Sequence, residues 1–296
     1  MTRPLVAIDW GTSSLRGARL DADGAVLEER SFARGILTVP AGGFAAVFDE
    51  LFGDWLQAPD ALALIAGMAG SRQGWVEAPY CACPAGLADV AAQLAWVVPA
   101  RIAIVPGLSC ERAAVPDVMR GEETQVFGAM RLLRQEAATL VLPGTHSKWV
   151  RAEAGRIVDF ATLMTGEFYA LLRQHSILAR TLPALDGAFD GAGFDAGVVH
   201  ALRSSGLLES AFSARTLALF DRQPEVQRAS YLSGLVIGEE LRTRALRPGE
   251  PVVIVGTDAL TQRYRRALAS LGVPVDVVGA QAAWRGLHEI ARTLRT

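Results

Sequence analysis

Asp9 ends a short apolar run, Leu5-Val6-Ala7-Ile8, and is followed by Trp10-Gly11-Thr12-Ser13-Ser14. The spelling returns later, where Leu140-Val141-Leu142 leads into Pro143-Gly144-Thr145-His146-Ser147. Gly11-Thr12 with Ser14 and Gly144-Thr145 with Ser147 share the pattern G-T-x-S at one place in a strand–turn–strand unit. A tight turn bearing glycine and hydroxyl residues offers closely spaced backbone N–H groups and side-chain donors, a set that suits phosphate oxygens. An aspartate beside such a turn would repel phosphate unless it holds a cation. Asp9 therefore reads as an anchor for Mg²⁺, reached through water because that ion dehydrates reluctantly. The alternative is an ordinary surface hairpin in which Asp9 caps a turn.

Other chemistries find no support. The phosphate loop G-x-x-x-x-G-K-[ST] is absent, and the only lysine, Lys148, follows the second turn. Gly191-Ala192-Gly193 lacks the preceding strand and third glycine of a dinucleotide fingerprint. Gly107-Leu108-Ser109-Cys110-Glu111 falls one glycine short of a nucleophile elbow. His288-Glu289 has no second histidine at metalloprotease spacing. Three cysteines, Cys81, Cys83 and Cys110, do not make a disulfide framework.

The turns need elements to hold them. Leu5 to Ile8 and Leu15 to Leu20 read as strands, and Asp23-Gly24 as a hairpin turn into a third. Phe44, Val47, Phe48, Leu51, Phe52 and Trp55 recur at spacings of three and four, which predicts an amphipathic helix. Strands are expected at 62–66 and 101–105, and a helix over 122–134. The second copy brings strands at 140–142, 148–152 and 156–160. Beyond it come a long helix within 224–246, a strand at 251–255, a helix at 259–271, a strand at 273–278 and a last helix at 280–294. Two copies of one unit, each followed by helices and further strands, imply two related α/β domains. The boundary is placed so that residues 1–135 form one domain and 136–296 the other.

The chain is 296 residues long, with 29 Lys+Arg against 31 Asp+Glu and a formal net charge of −2. That balance argues against a dedicated nucleic-acid surface. No apolar run approaches the roughly 20 residues that cross a bilayer, and the early Asp9 does not suit a secretory signal. A cytoplasmic location is expected.

Taken together, Ile8-Asp9-Trp10-Gly11-Thr12-Ser13, Ala69-Gly70-Ser71-Arg72, Arg120-Gly121-Glu122-Glu123-Thr124-Gln125, Leu142-Pro143-Gly144-Thr145-His146-Ser147-Lys148-Trp149 and Thr165-Gly166-Glu167-Phe168 resemble the 2-dehydro-3-deoxygalactonokinase family. The family lies within the actin, heat-shock-cognate and sugar-kinase superfamily. The resemblance implies two duplicated ribonuclease-H-like α/β domains with ATP and Mg²⁺ in an interdomain cleft. It also implies phosphorylation of 2-dehydro-3-deoxygalactonate at its terminal C6 hydroxyl, with ADP as product. Residues 9–14, with Gly11, Thr12 and Ser13, would be the first phosphate loop. Gly144, Thr145, His146 and Lys148 would belong to the second. Gly256 and Thr257 would form the adenosine turn, although relatives often carry consecutive glycines there.

The resemblance further implies a base for the acceptor hydroxyl at a helix start shortly before the second phosphate loop, a place that Glu122 and Glu123 occupy about two dozen residues before the second turn. Glu122, directly after Gly121, is preferred, and the helix N-terminus should keep such a carboxylate ionised. An aldonic acid needs a cation, for which Arg72 at a strand end is the candidate. Arg16 is a second cation, though a solvated strand arginine is its simpler reading. Ser71, Trp75 and Tyr80 would line the sugar side. Lys148 would stand as a point charge near phosphates or substrate, or as a cross-strand surface partner. Glu167 would bind sugar hydroxyls or act only as a helix-start acid. Two other outcomes stay open: a kinase for another sugar or sugar acid, and a non-catalytic nucleotide-binding sensor of this fold. A homodimer is an open option.

Overall fold

Leu5–Trp10 runs almost without polar side chains, as a strand buried on both faces must. In the computed structural model, which describes residues 4–184, 187–256 and 258–294 (Asp258 by its backbone alone), it is the central strand β1 of the first sheet. Next come β2 (Leu15–Leu20), β3 (Val26–Phe32), helix α1 (Phe44–Phe52) and β4 (Leu62–Gly67). Strand β5 (Tyr80–Ala82), helix α2 (Leu87–Ala92) and strands β6 (Ala95–Val98), β7 (Ile102–Ile104), β8 (Gly107–Arg112) and β9 (Val115–Met119) lead to helix α3 (Glu122–Leu133). The second half holds β10 (Ala138–Leu142), β11 (Ser147–Glu153), β12 (Arg156–Leu163), α4 (Thr165–His175), α5 (Gly191–Arg203), α6 (Leu207–Ser210), α7 (Ser213–Leu219) and α8 (Glu225–Arg242). It ends with β13 (Val252–Val255), α9 (Asp258–Ala269), β14 (Val275–Val278) and α10 (Gln281–Thr293).

Among the described residues the strands form three sheets, ordered β3-β2-β1-β4-β7-β6, β12-β11-β10-β13-β14 and β5-β8-β9. The first two run in the same sequence: a three-stranded meander, then the next strand added beside its first member. The duplication legible in four residues of motif is thus repeated by the strand order. Strand β1 pairs antiparallel with β2 and parallel with β4, with Asp9 opposite both Arg16 and Ala66. The small third sheet, β5-β8-β9, carries no periodicity strong enough to have announced it.

By packing the chain divides into two units: residues 1–140, 149–161 and 278–296 in one, residues 141–148 and 162–277 in the other. The dividing line passes within β10, β11, β12 and β14. In the first unit, Val6, Ile8, Trp10, Phe44, Phe48, Phe52, Ala63 and Ile65 belong to one buried cluster. Helix α3 lies against α10 at very close range. A Cβ on Gly128 would fall 1.8 Å from the Ala282 carbonyl oxygen, and one on Gly286 equally near that of Thr124. In the second unit, α5 and α8 meet through Gly197 and Gly234, whose Cβ positions would fall 2.2 Å from the Tyr231 carbonyl oxygen and 2.1 Å from that of Phe194. No described helix is long and apolar enough to cross a membrane.

Candidate active site

The first turn follows from β1 and β2. Their register leaves Gly11 to Ser14 as the connection, closed by Gly11 N–H donating to the Ser14 carbonyl at 2.9 Å. Thr12, Ser13 and Ser14 are exposed. The turn is braced from behind by a short helical stretch: Ile36 N–H donates to Gly11 O at 3.0 Å and Leu37 N–H to Thr12 O. Gly35 makes this possible, since a Cβ there would lie 2.2 Å from the Thr12 carbonyl oxygen.

The second turn is braced in the same manner. A Cβ on Gly166 would fall 2.6 Å from Gly144 O, and Glu167 N–H donates to Thr145 O at 3.1 Å. Thr145 and His146 are exposed, whereas Ser147 and Lys148 are buried. His146 Nε2 and Glu167 Oε2 lie 2.5 Å apart, which joins two residues the sequence reading gave to different ligands. The burial of Lys148 removes the reading of a surface partner for it.

Behind this turn is a group that sequence reasoning missed. Glu240 of α8 is buried and accepts hydrogen bonds from Ser147 Oγ (2.9 Å), Tyr264 Oη (2.7 Å) and Thr165 Oγ1. Burial, and then the Glu240 charge, push the Tyr264 phenol well above its ordinary value. The only signal was a carboxylate one helical turn after Val236-Ile237.

In the first unit, Asp9 is bound to Arg16, whose Nη2 donates to Asp9 Oδ2 at 2.5 Å. Arg16 is only partly exposed, and its guanidinium lies 5.7 Å from the Trp284 ring centroid. Beside Asp9 the backbone is crowded. A Cβ on Gly67 (φ +91°) would lie 2.8 Å from Trp10 O and 3.4 Å from Asp9 Oδ1. One on Gly121 (φ +105°) would lie 3.1 Å from the Gly67 Cα. These two glycines bring the start of α3 against the ends of β1 and β4.

Glu122 and Glu123 fold back at that helix start. Glu122 Oε2 accepts from Arg120 N–H at 3.0 Å and is half-buried, while Glu123 Oε2 accepts from Gly121 N–H at 2.7 Å and is fully buried. The expectation of an ionised helix-start carboxylate does not hold for Glu123. Burial, followed by the neighbouring Glu122 charge, pushes its carboxyl up to about 8. Desolvation outweighs the helix end because Glu123 has no water to share the charge with.

The loop after β4 holds the remaining predicted residues. Arg72 points outward, with its side chain 88% exposed and Nε donating to Glu77 Oε1 at 3.0 Å. Ser71 Oγ is buried without a hydrogen-bond partner among the described residues. Trp75 packs on Trp10 (6.3 Å between centroids) and Phe48 (5.5 Å), so its ring serves the core. Tyr80 is 44% exposed and lies under the Arg120 guanidinium at 4.3 Å. Gly256 directly follows β13 beside Pro143, and Thr257 lies outside the described residues.

Among the described residues, no three His, Cys, Asp or Glu side chains gather as a metal cage. Asp9 beside the first turn still fits Mg²⁺ of the kind that arrives with phosphates and keeps most of its waters, since such an ion needs only one or two carboxylates.

The matches to known proteins cover nearly the whole chain. The family model for 2-keto-3-deoxy-galactonokinase matches residues 9–290. A probable 2-dehydro-3-deoxygalactonokinase of Rhizobium meliloti (strain 1021) is 38% identical over 97% of this chain and 96% of its own. The 2-dehydro-3-deoxygalactonokinase of Escherichia coli (strain K12) is 35% identical over 99% of each. The crystal structure of a candidate 2-dehydro-3-deoxygalactonokinase from Sinorhizobium meliloti superposes with a TM-score of 0.89 at 36% identity, covering 99% of both chains. The architecture is that of the sugar kinases and actin-like ATPases. With a match that begins at Asp9 itself and takes in both braced turns, this chain belongs to the 2-keto-3-deoxy-galactonokinase family.

Proposed function

We propose that the chain is a sugar-acid kinase that transfers the γ-phosphoryl group of ATP to the C6 hydroxyl of 2-dehydro-3-deoxygalactonate. The observation that carries this reading is identity of 35% across 99% of both chains with an enzyme named for that substrate. The duplicated turn supports the nucleotide half, because each copy exposes hydroxyl side chains on a turn braced from behind. Phosphoryl transfer asks a protein mainly for positioning and charge stabilisation.

In this reading Gly11, Thr12 and Ser13 bind phosphate oxygens from one turn, and Gly144, Thr145 and His146 from the other. Lys148 adds a fixed charge from its buried place beside the second turn. Gly256 and Thr257 serve the adenosine end. Asp9, oriented by Arg16, would hold Mg²⁺ through water, and that ion supplies neutralisation of charge on the phosphate oxygens. Glu122, half-buried at the start of α3, takes the proton of the attacking hydroxyl. Ser71, Tyr80 and Glu167 contact sugar hydroxyls, Trp75 backs them, and Arg72 and Arg120 are the cations this region offers to the carboxylate. The sugar acid and the first phosphate loop are thus assigned to residues 1–135 and the nucleotide to 136–296. A cytoplasmic, homodimeric enzyme would suit such a role.

The test is a coupled ADP-release assay with Mg-ATP and a panel of 2-dehydro-3-deoxy sugar acids, neutral sugars and amino sugars. The galactonate derivative should give the highest kcat/KM. ATP binding by calorimetry with no turnover of any compound would replace the kinase with a nucleotide sensor.

A further inference from the structure

We infer that Arg120, rather than Arg72, is the specificity residue that recognises the substrate carboxylate; the inference rests on the kinase reading above. Arg120 is 9% exposed, and its guanidinium is flanked by the Tyr80 ring at 4.3 Å and by Gly70, whose Cβ would fall 2.8 Å from Nη1. Of the five N–H donors a guanidinium carries, the described residues take one, with Nη2 donating to the Ala78 carbonyl at 2.9 Å. Nε and Nη1 are buried and have no acceptor among the described residues. No carboxylate among them forms an ion pair with Arg120, although at least eight other described arginines hold ion pairs with Asp or Glu.

A buried guanidinium without a counter-charge is costly, and proteins tolerate it where an anion completes the site. The neighbouring Glu123 makes no hydrogen bond to that guanidinium: its Oε2 accepts from Gly121 N–H, and burial pushes its carboxyl up although the Arg120 charge draws it down. The partner that fits is an anionic oxygen at Nε or Nη1, the two nitrogens left without an acceptor, on the substrate side of the first unit. Arg120 directly precedes Gly121 and the Glu122 helix start, and Ser71 Oγ, buried without a partner, directly follows Gly70. Arg72 offers the opposite environment, being solvated and already paired with Glu77. A carboxylate there would gain little over water.

The experiment compares R120Q, R120K and R72A in steady-state assays that vary the sugar acid and ATP separately, with melting temperatures as folding controls. R120Q should raise KM for 2-dehydro-3-deoxygalactonate about 100-fold and leave KM for ATP within twofold. The preference for acids over neutral analogues should collapse. R120K, which keeps the charge and loses the planar fork, should fall between, and it serves as the test if R120Q does not fold. Equal losses for ATP and acid would mean that Arg120 faces a phosphate or only supports the fold, and would overturn the assignment. So would unchanged acid KM in both variants, or loss of acid selectivity in R72A instead. Should the wild type phosphorylate no sugar acid, the kinase reading fails on its own. Calorimetric binding of D-galactonate, abolished by R120Q if Arg120 holds the carboxylate and unaltered if it does not, then decides the assignment.

Discussion

Gly67 and Gly121 are in backbone contact: a Cβ on Gly121 would sit 3.1 Å from the Gly67 Cα, and both residues have positive φ. Gly67 has φ +91° and ψ −155°, a region open in practice to glycine alone. This contact sets the start of α3 beside Asp9. G67A and G121A should each destabilise the protein by about 1–3 kcal/mol and lower kcat beyond what the lost folded fraction explains. Gly42, also at positive φ but with nothing within 4 Å of its Cβ position, provides the control. G42A should cost stability on the order of 1 kcal/mol with kcat unchanged. Urea unfolding and steady-state kinetics on the three variants separate strain from site geometry, and equal kcat in all three would show that the contact is only structural.

The choice between the two glutamates at the helix start can be made by replacing each in turn. Glu122 is half-buried, whereas Glu123 is enclosed and occupied by the Gly121 N–H. A base must reach a hydroxyl, so E122Q should reduce kcat by about 10²–10⁴-fold while calorimetry shows ATP affinity within twofold of wild type. Retained turnover in E122Q together with an inactive E123Q would hand the role to Glu123.

Much of this site was legible in advance because its parts are local. Asp9, the two turns and the helix start at Glu122 each declare themselves within six residues, through a periodicity, a glycine or an acidic pair. The repeat reappears as the matching strand order of the first two sheets, an order that only the fold supplies. What could not be read depends on distant partners. Arg72 and Arg120 are the same residue type, and only the fold shows one in water against Glu77 and the other buried on Tyr80. Glu240 lies 93 positions from Ser147, and no local pattern announces their bond. The contact of Gly67 with Gly121 is invisible for the same reason. Residue 123 illustrates the last limit: a helix-start acid is normally stabilised as an anion, and burial reverses that.

Glu240 should act on the nucleotide side. Its carboxylate takes hydroxyl hydrogens from Ser147, Thr165 and Tyr264, which fixes both the exit of the second turn and the helix that braces it. A glutamine brings an N–H₂ group where only acceptors fit, so a buried donor or hydroxyl loses its partner at a cost of about 1–3 kcal/mol. E240Q should lower the melting temperature and raise KM for ATP about tenfold, with KM for the sugar acid changed less than twofold. Y264F, which removes one donor and keeps the charge, should show a smaller shift in the same direction. Matching increases in both KM values would place Glu240 in general stability only.

Glu123 makes stability depend on pH in a direction opposite to that of a salt-bridged acid. Its carboxyl titrates at about 8 in the folded chain against an ordinary 4.5, first because it is buried and second because Glu122 is near. Between those two values the folded protein keeps a proton that the unfolded chain releases. Stability therefore falls as pH rises through this window. The contribution is complete below about pH 4.5 and lost once the folded-state group ionises above about pH 8. E123Q mimics the protonated acid at every pH and can still accept from Gly121 N–H, the bond that measures 2.7 Å in the wild type. Melting temperatures recorded from pH 5 to 8.5 should decline more steeply for wild type than for E123Q, with the variant the more stable at the upper end. Parallel curves would mean that Glu123 ionises without penalty, and that water reaches a carboxyl that the fold encloses.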